Sequence, residues 1–134
     1  MTIAKVFLGL VGLLYAGLGI WCSVSPAMTS DKVGFELKSG SGQSEFLAVY
    51  GGLEMGIALV FLLPLVRSKY LVSSLQACVL IHVCLVAFRT IGFFLYVDIS
   101  SMIYKLAAGE WVILILGIVC SVLVKNGSPI ATSN

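Results

Sequence analysis

Apolar residues run along the chain in four long blocks separated by short polar breaks. The blocks cover about 3–24, 44–66, 70–97 and 102–124, and a polar stretch at 25–43 parts the first two. One helical crossing of a bilayer takes roughly 20 apolar residues, and each block meets that length. None shows the sustained alternation of a membrane strand. Inside hydrocarbon a segment must close its own backbone hydrogen bonds, so each block is predicted to be a helix. The pattern therefore predicts an all-α fold, a four-helix transmembrane bundle with a polar first extramembrane loop. Tight links after the second and third blocks make blocks two, three and four antiparallel neighbours.

The breaks carry their own signals. Trp21 sits near the end of the first block, as an interface anchor does, and Pro26 is expected to stop that helix. Val33, Phe35 and Leu37 alternate with other residues in the polar loop, which predicts a short extended or interfacial piece. Pro64 is placed to kink or end the second helix. Arg67-Ser68-Lys69 and Asp98-Ile99-Ser100-Ser101 form the next two connections, and Lys125-Asn126-Gly127-Ser128-Pro129 ends the fourth helix before a frayed polar tail. The first block is read as a retained span. Its charge-free stretch, from Val6 to Ser30, is longer than the apolar core of a signal peptide.

Composition sharpens this picture. Of 134 residues, 60% are hydrophobic and 10% charged, against about 25% charged in soluble domains. A mean hydropathy of +1.11 leaves an integral membrane protein and excludes disordered, coiled-coil and disulfide-scaffold classes. The net charge of +2 comes without a basic run, so nucleic acid is not an expected partner. The expected partners are the lipid bilayer and either a second copy or another membrane protein. Cys22, Cys78, Cys84 and Cys120 all lie in apolar stretches without a CxxC pair, and read as small packing residues. Lys5, Arg67, Lys69 and Lys125 share one side of the bundle, while Lys32, Lys38 and Lys105 lie on the other. Counting Lys and Arg alone places both termini in the cytoplasm.

Four ionisable residues lie well inside the blocks: Glu54, His82, Arg89 and Glu110. Such residues are costly in a span, and mark packing or function. At about 1.5 Å per residue, Glu54 lies roughly 15 Å from the outer end of helix two, and Arg89 and Glu110 roughly 12 Å from theirs. Tyr50 stands one turn from Glu54, and Tyr15 falls near the same level. The expected arrangement is Arg89 bracketed by Glu54 and Glu110, with Tyr50 or Tyr15 adding a hydroxyl. The planar guanidinium can serve two acceptors at once. One Arg against two Glu leaves a negative charge over, and the less costly outcome is a proton on one carboxyl or on His82. This cluster either holds the bundle in register or also lines a small ligand or proton site.

Cys78 and His82, four apart, could offer two metal ligands on paper. One face of one helix cannot surround a metal, so no metal and no cofactor is expected. Gly52 with Gly56, and Gly117 with Ser121, are spaced to let helix backbones approach closely. They serve either packing within the bundle or a seam between two copies.

The run Ser44-Glu45-Phe46-Leu47-Ala48-Val49-Tyr50-Gly51-Gly52-Leu53-Glu54-Met55-Gly56, followed by Phe88-Arg89, Gly92, Asp98 and Gly109-Glu110, resembles a known family. It is a group of small, mostly bacterial four-helix membrane proteins known only as a domain of unknown function, of the DUF4345 type. A basic residue often stands in that family where Leu47 is here, which weakens a charge-pair role for Glu45. The resemblance implies the four-helix fold, similar in general plan to DoxX-like proteins, and a bacterial inner membrane. It implies no activity. The leading expectation is a non-enzymatic membrane protein with a buried Glu54–Arg89–Glu110 centre. The alternative is a membrane-embedded enzyme or redox accessory acting on an apolar substrate such as a quinone or isoprenoid, with Glu54 or Glu110 exchanging the proton.

Overall fold

The computed structural model describes residues 1–126, so the frayed tail expected after Asn126 lies outside the described residues. Five helices and no strand are found among them. Helix α1 covers Thr2–Val24, α2 Pro26–Lys32, α3 runs from Ser41 to Val66, α4 covers Leu71–Leu95 after a short 3₁₀ turn at Ser68–Tyr70, and α5 covers Ser101–Asn126. Helices α1, α3, α4 and α5 are each long and apolar enough to cross a membrane. The chain is therefore a membrane-embedded helical bundle.

The helices pack in a ring in chain order. Helix α1 lies mainly against α3, α3 against α4, α4 against α5, and α5 back against α1. Lys5 Nζ donates to Ser68 Oγ at 2.6 Å, which ties the start of α1 to the link between α3 and α4. The apolar core gathers toward that same end: Ala4, Leu8, Val11, Ala58, Phe61, Leu71, Leu75, Cys120 and Val124 form one buried cluster. The bundle is thus sealed at the end that carries Met1 and Asn126, while Glu54, Arg89 and Glu110 lie in the other half.

Glycines on α1 allow its close approach to α3. A Cβ on Gly12 would stand 2.7 Å from Leu62 Cγ and 3.2 Å from the Ala58 carbonyl. One on Gly19 would stand 3.1 Å from the Gly51 carbonyl. Gly51 in turn accommodates the Ser23 side chain. Gly52 and Gly56 do not pack inside the bundle. Both are exposed, and a Cβ on Gly56 would meet nothing within 4 Å. The buried stripe of α3 runs through Gly51, Ala58 and Phe61 instead. Helix α3 is apolar all round, so spacing alone could not say which face turns inward. Gly117 does pack internally, with Val79 at 3.3 Å and Phe7 at 3.7 Å from its Cβ position.

Two local features were not in the hydropathy pattern. Pro26 ends α1 but also opens α2, since the first helical position tolerates a residue without an N–H. In α3, residues Leu47–Leu53 form a π-helical segment, immediately before Glu54. Consecutive Gly51 and Gly52 soften the backbone there. Such segments recur at functional positions in helices.

Pro64 causes a further adjustment. Lacking an N–H, it cannot bond the carbonyl of Val60 one turn earlier. Ser74 Oγ of α4 donates to that carbonyl at 2.7 Å. The break within one span is thereby satisfied by a hydroxyl from the next, as hydrocarbon requires.

Candidate functional site

The ionic half of the bundle is built from α3, α4 and α5. Arg89 lies about two turns before the end of α4, and Glu110 near the start of α5, so the antiparallel pairing of the two helices brings them level. The guanidinium forks onto the carboxylate, with Nε donating to Oε2 at 2.6 Å and Nη2 to Oε1 at 2.5 Å. Phe93 and Tyr104 stack nearby across the same two helices, with ring centroids 4.9 Å apart. The pair is partly sheltered, its side chains 24% and 13% exposed.

Glu54 approaches from α3 but takes no part in the fork. Its Oε2 is buried and has no hydrogen-bond partner among the described residues. Arg89 pairs with Glu110 alone among the described residues, so the bracketed Glu–Arg–Glu network is not formed. The arrangement of the helices accounts for this. Helix α4 packs extensively on α5, whereas α3 and α5 stand across the ring from each other. One guanidinium on α4 satisfies the acid on its close neighbour. Leu53, next to Glu54, borders the same groove as Arg89. The ionic groups thus share one region without sharing one set of hydrogen bonds.

The two tyrosines take other partners. Tyr50 sits in the π segment and stacks on Phe46, with centroids 4.5 Å apart, while Phe35 meets its other side at 5.8 Å. The polar loop thereby folds back onto the outer part of α3. Tyr15 points to His82, its hydroxyl 3.2 Å from Nε2. His82 is fully buried, and its Nδ1 lies 2.8 Å from the Cys78 carbonyl. A carbonyl only accepts, so Nδ1 carries a proton; in a neutral ring Nε2 then accepts from the Tyr15 hydroxyl. Phe61 closes this unit, edge-on to the Tyr15 ring at 5.6 Å. His82 thus belongs to a buried Tyr–His pair, one step away from the fork. Among the described residues no group of three or more His, Cys, Asp or Glu could hold a metal.

Sequence reasoning also passed over the apolar wall beside the fork. Leu53 and Ile57 of α3 and Leu80, Cys84 and Phe88 of α4, with Arg89 at one end, line an open groove of about 790 Å³. Residues of this kind cannot be told from ordinary lipid-facing positions in a chain this apolar.

The family model described as Domain of unknown function (DUF4345) matches residues 3–121, across all four long helices. The chain belongs to that family. No curated protein and no solved structure matches it. The DUF4345 match takes in every residue of the fork, Glu54, the Tyr–His pair and the groove. The DUF4345 description names no activity.

Proposed function

We propose that this DUF4345 chain is a small multi-pass protein of the cell membrane, with both termini in the cytoplasm. In this reading the Arg89–Glu110 fork ties α4 to α5, and Glu54 lines a small ligand or proton site beside it. The carrying observation is the buried Glu54 Oε2, which has no hydrogen-bond partner among the described residues. A bare carboxylate in a span is costly. A proton on it, or a donor brought by a ligand, relieves that cost. Glu110 has no such need, because Arg89 already neutralises it. The orientation is supported by Lys5, Arg67, Lys69 and Lys125, which lie at the end of the bundle that carries Met1 and Asn126. No reaction is part of this reading.

Dicyclohexylcarbodiimide tests it. The reagent enters apolar regions and adds to a protonated carboxyl, whose acyl group then migrates to nitrogen as a stable acylurea. Purified protein in nanodiscs should acquire one adduct, mapped by peptide mass spectrometry to Glu54. Glu110 should be spared until Arg89 is replaced. A Glu54 that stays unmodified under conditions where Glu110 reacts overturns the assignment.

A further inference from the structure

The groove beside the fork has a feature that ordinary lipid-facing grooves lack. Arg89 forms part of its wall, and only two of the three guanidinium nitrogens are engaged by Glu110. Nη1, with two N–H donors, has no hydrogen-bond partner among the described residues. The side chain is 24% exposed, so these donors are reachable. An unmet donor at this depth favours any acceptor that can enter from the lipid.

The shape and the charge select the acceptor. From Leu80 to Arg89 the groove wall runs nine residues along α4, roughly 13 Å at helical rise. Its other wall is Leu53 and Ile57. That lining suits a long apolar tail, and the volume of about 790 Å³ falls within the usual range for small-molecule sites. The charge on Arg89 is already matched by Glu110. An anionic head would add an unbalanced negative charge beside Glu110 in an apolar setting. A neutral carbonyl needs only the free N–H groups.

We propose that the α3–α4 groove binds a lipid-like molecule with a long apolar tail and a neutral carbonyl head, the carbonyl accepting from Arg89 Nη1. This goes beyond the site that Glu54 lines, since Glu54 is not among the groove's lining residues. It does not depend on the protonation of Glu54.

Photolabelling of the full chain in nanodiscs tests this, with a long-chain methyl ketone bearing a diazirine on its tail as the probe. The comparators are the same chain as a plain alkane and as a carboxylic acid. The ketone should label the α4 peptide carrying Leu80, Cys84 and Phe88 about fivefold more than the alkane, the ratio expected from one net hydrogen bond. It should also exceed the acid. Cys84 is exposed, so Cys84→Trp should fill the groove without disturbing the bundle and should remove the labelling. Arg89→Gln should lower the ketone to the alkane level. Gly56→Ala, on the open face of α3, should leave ketone labelling in place, and the carbodiimide adduct on Glu54 is read separately, so either result can fail without the other. Ester-lipid nanodiscs that suppress the label, where ether-lipid nanodiscs do not, identify a glycerolipid ester as the occupant. Equal labelling in both identifies a free carbonyl lipid. Equal labelling by ketone and alkane, stronger labelling by the acid, or labelling indifferent to Cys84→Trp overturns the proposal.

Discussion

Arg89 and Glu110 meet through two parallel hydrogen bonds, Nε to Oε2 and Nη2 to Oε1, which join the second half of α4 to the first half of α5. Two fixed contact points set rotation as well as distance, which one hydrogen bond cannot do. Removing one member leaves the other charged and sheltered. Arg89→Leu or Glu110→Leu alone should therefore destabilise by roughly 3 kcal/mol. The double replacement should recover most of the loss, because an apolar pair leaves no stranded charge. Thermal unfolding of the three variants in one detergent checks this. Additive losses would count against the pairing as the source of stability.

The Pro64–Ser74 relationship makes a second cycle. Ser74→Ala leaves the Val60 carbonyl without its donor and should cost about 1–2 kcal/mol. Pro64→Ala restores a helical N–H to that carbonyl. In the Pro64→Ala background, Ser74→Ala should then cost much less. A denaturant series on four proteins gives the coupling directly. A Ser74→Ala cost unchanged by the proline replacement would show that the hydroxyl stabilises something else.

Close helix approach should be sensitive at Gly12 and indifferent at Gly56. Gly12→Ala would press a methyl into Leu62 and the Ala58 carbonyl, and should cost about 1–3 kcal/mol. Gly56→Ala meets open space and should be neutral or slightly stabilising through helix propensity. Unfolding midpoints of the two variants should differ in that order. The same Gly56 variant, examined by size-exclusion chromatography with light scattering, tests whether this outward face carries a seam between copies.

The Tyr15–His82 pair fixes one tautomer. Nitrogen NMR of labelled His82 should show a protonated Nδ1 and a bare Nε2 accepting a hydrogen bond. Tyr15→Phe should shift the Nε2 resonance and leave Nδ1 nearly unchanged. It should destabilise by about 1–2 kcal/mol, since Nε2 would lose its donor while buried. A protonated Nε2 in the unaltered chain would reverse the donor assignment.

Much of the architecture was readable from residue order alone. The predicted blocks and the four membrane-length helices agree to within about three residues at each end. The physical cause is strong: hydrocarbon admits only closed backbone hydrogen bonding, and the chain alternates long apolar runs with short polar links. Residues of low abundance were also readable. Glu54, His82, Arg89 and Glu110 stood out because ionisable groups are rare in such runs.

Partner choice was not readable, for reasons seen at particular residues. Arg89 takes Glu110 and leaves Glu54 because α4 packs closely on α5, a fact of helix order around the ring. Tyr50, expected as one of two tyrosines to offer a hydroxyl to the cluster, instead packs on Phe46 and Phe35 from within the π segment. Gly19 and Gly51, not Gly52 and Gly56, mark the crossing of α1 and α3.

The sequence by itself determined that this chain spans the bilayer as four helices, and which few polar side chains those helices carry into it. The tertiary structure alone decided which of those side chains meet, and which apolar faces remain open as a groove. The reason is common to both. Lipid and protein interior are equally apolar, so hydropathy places a segment in the membrane without saying which of its faces turns to a neighbouring helix.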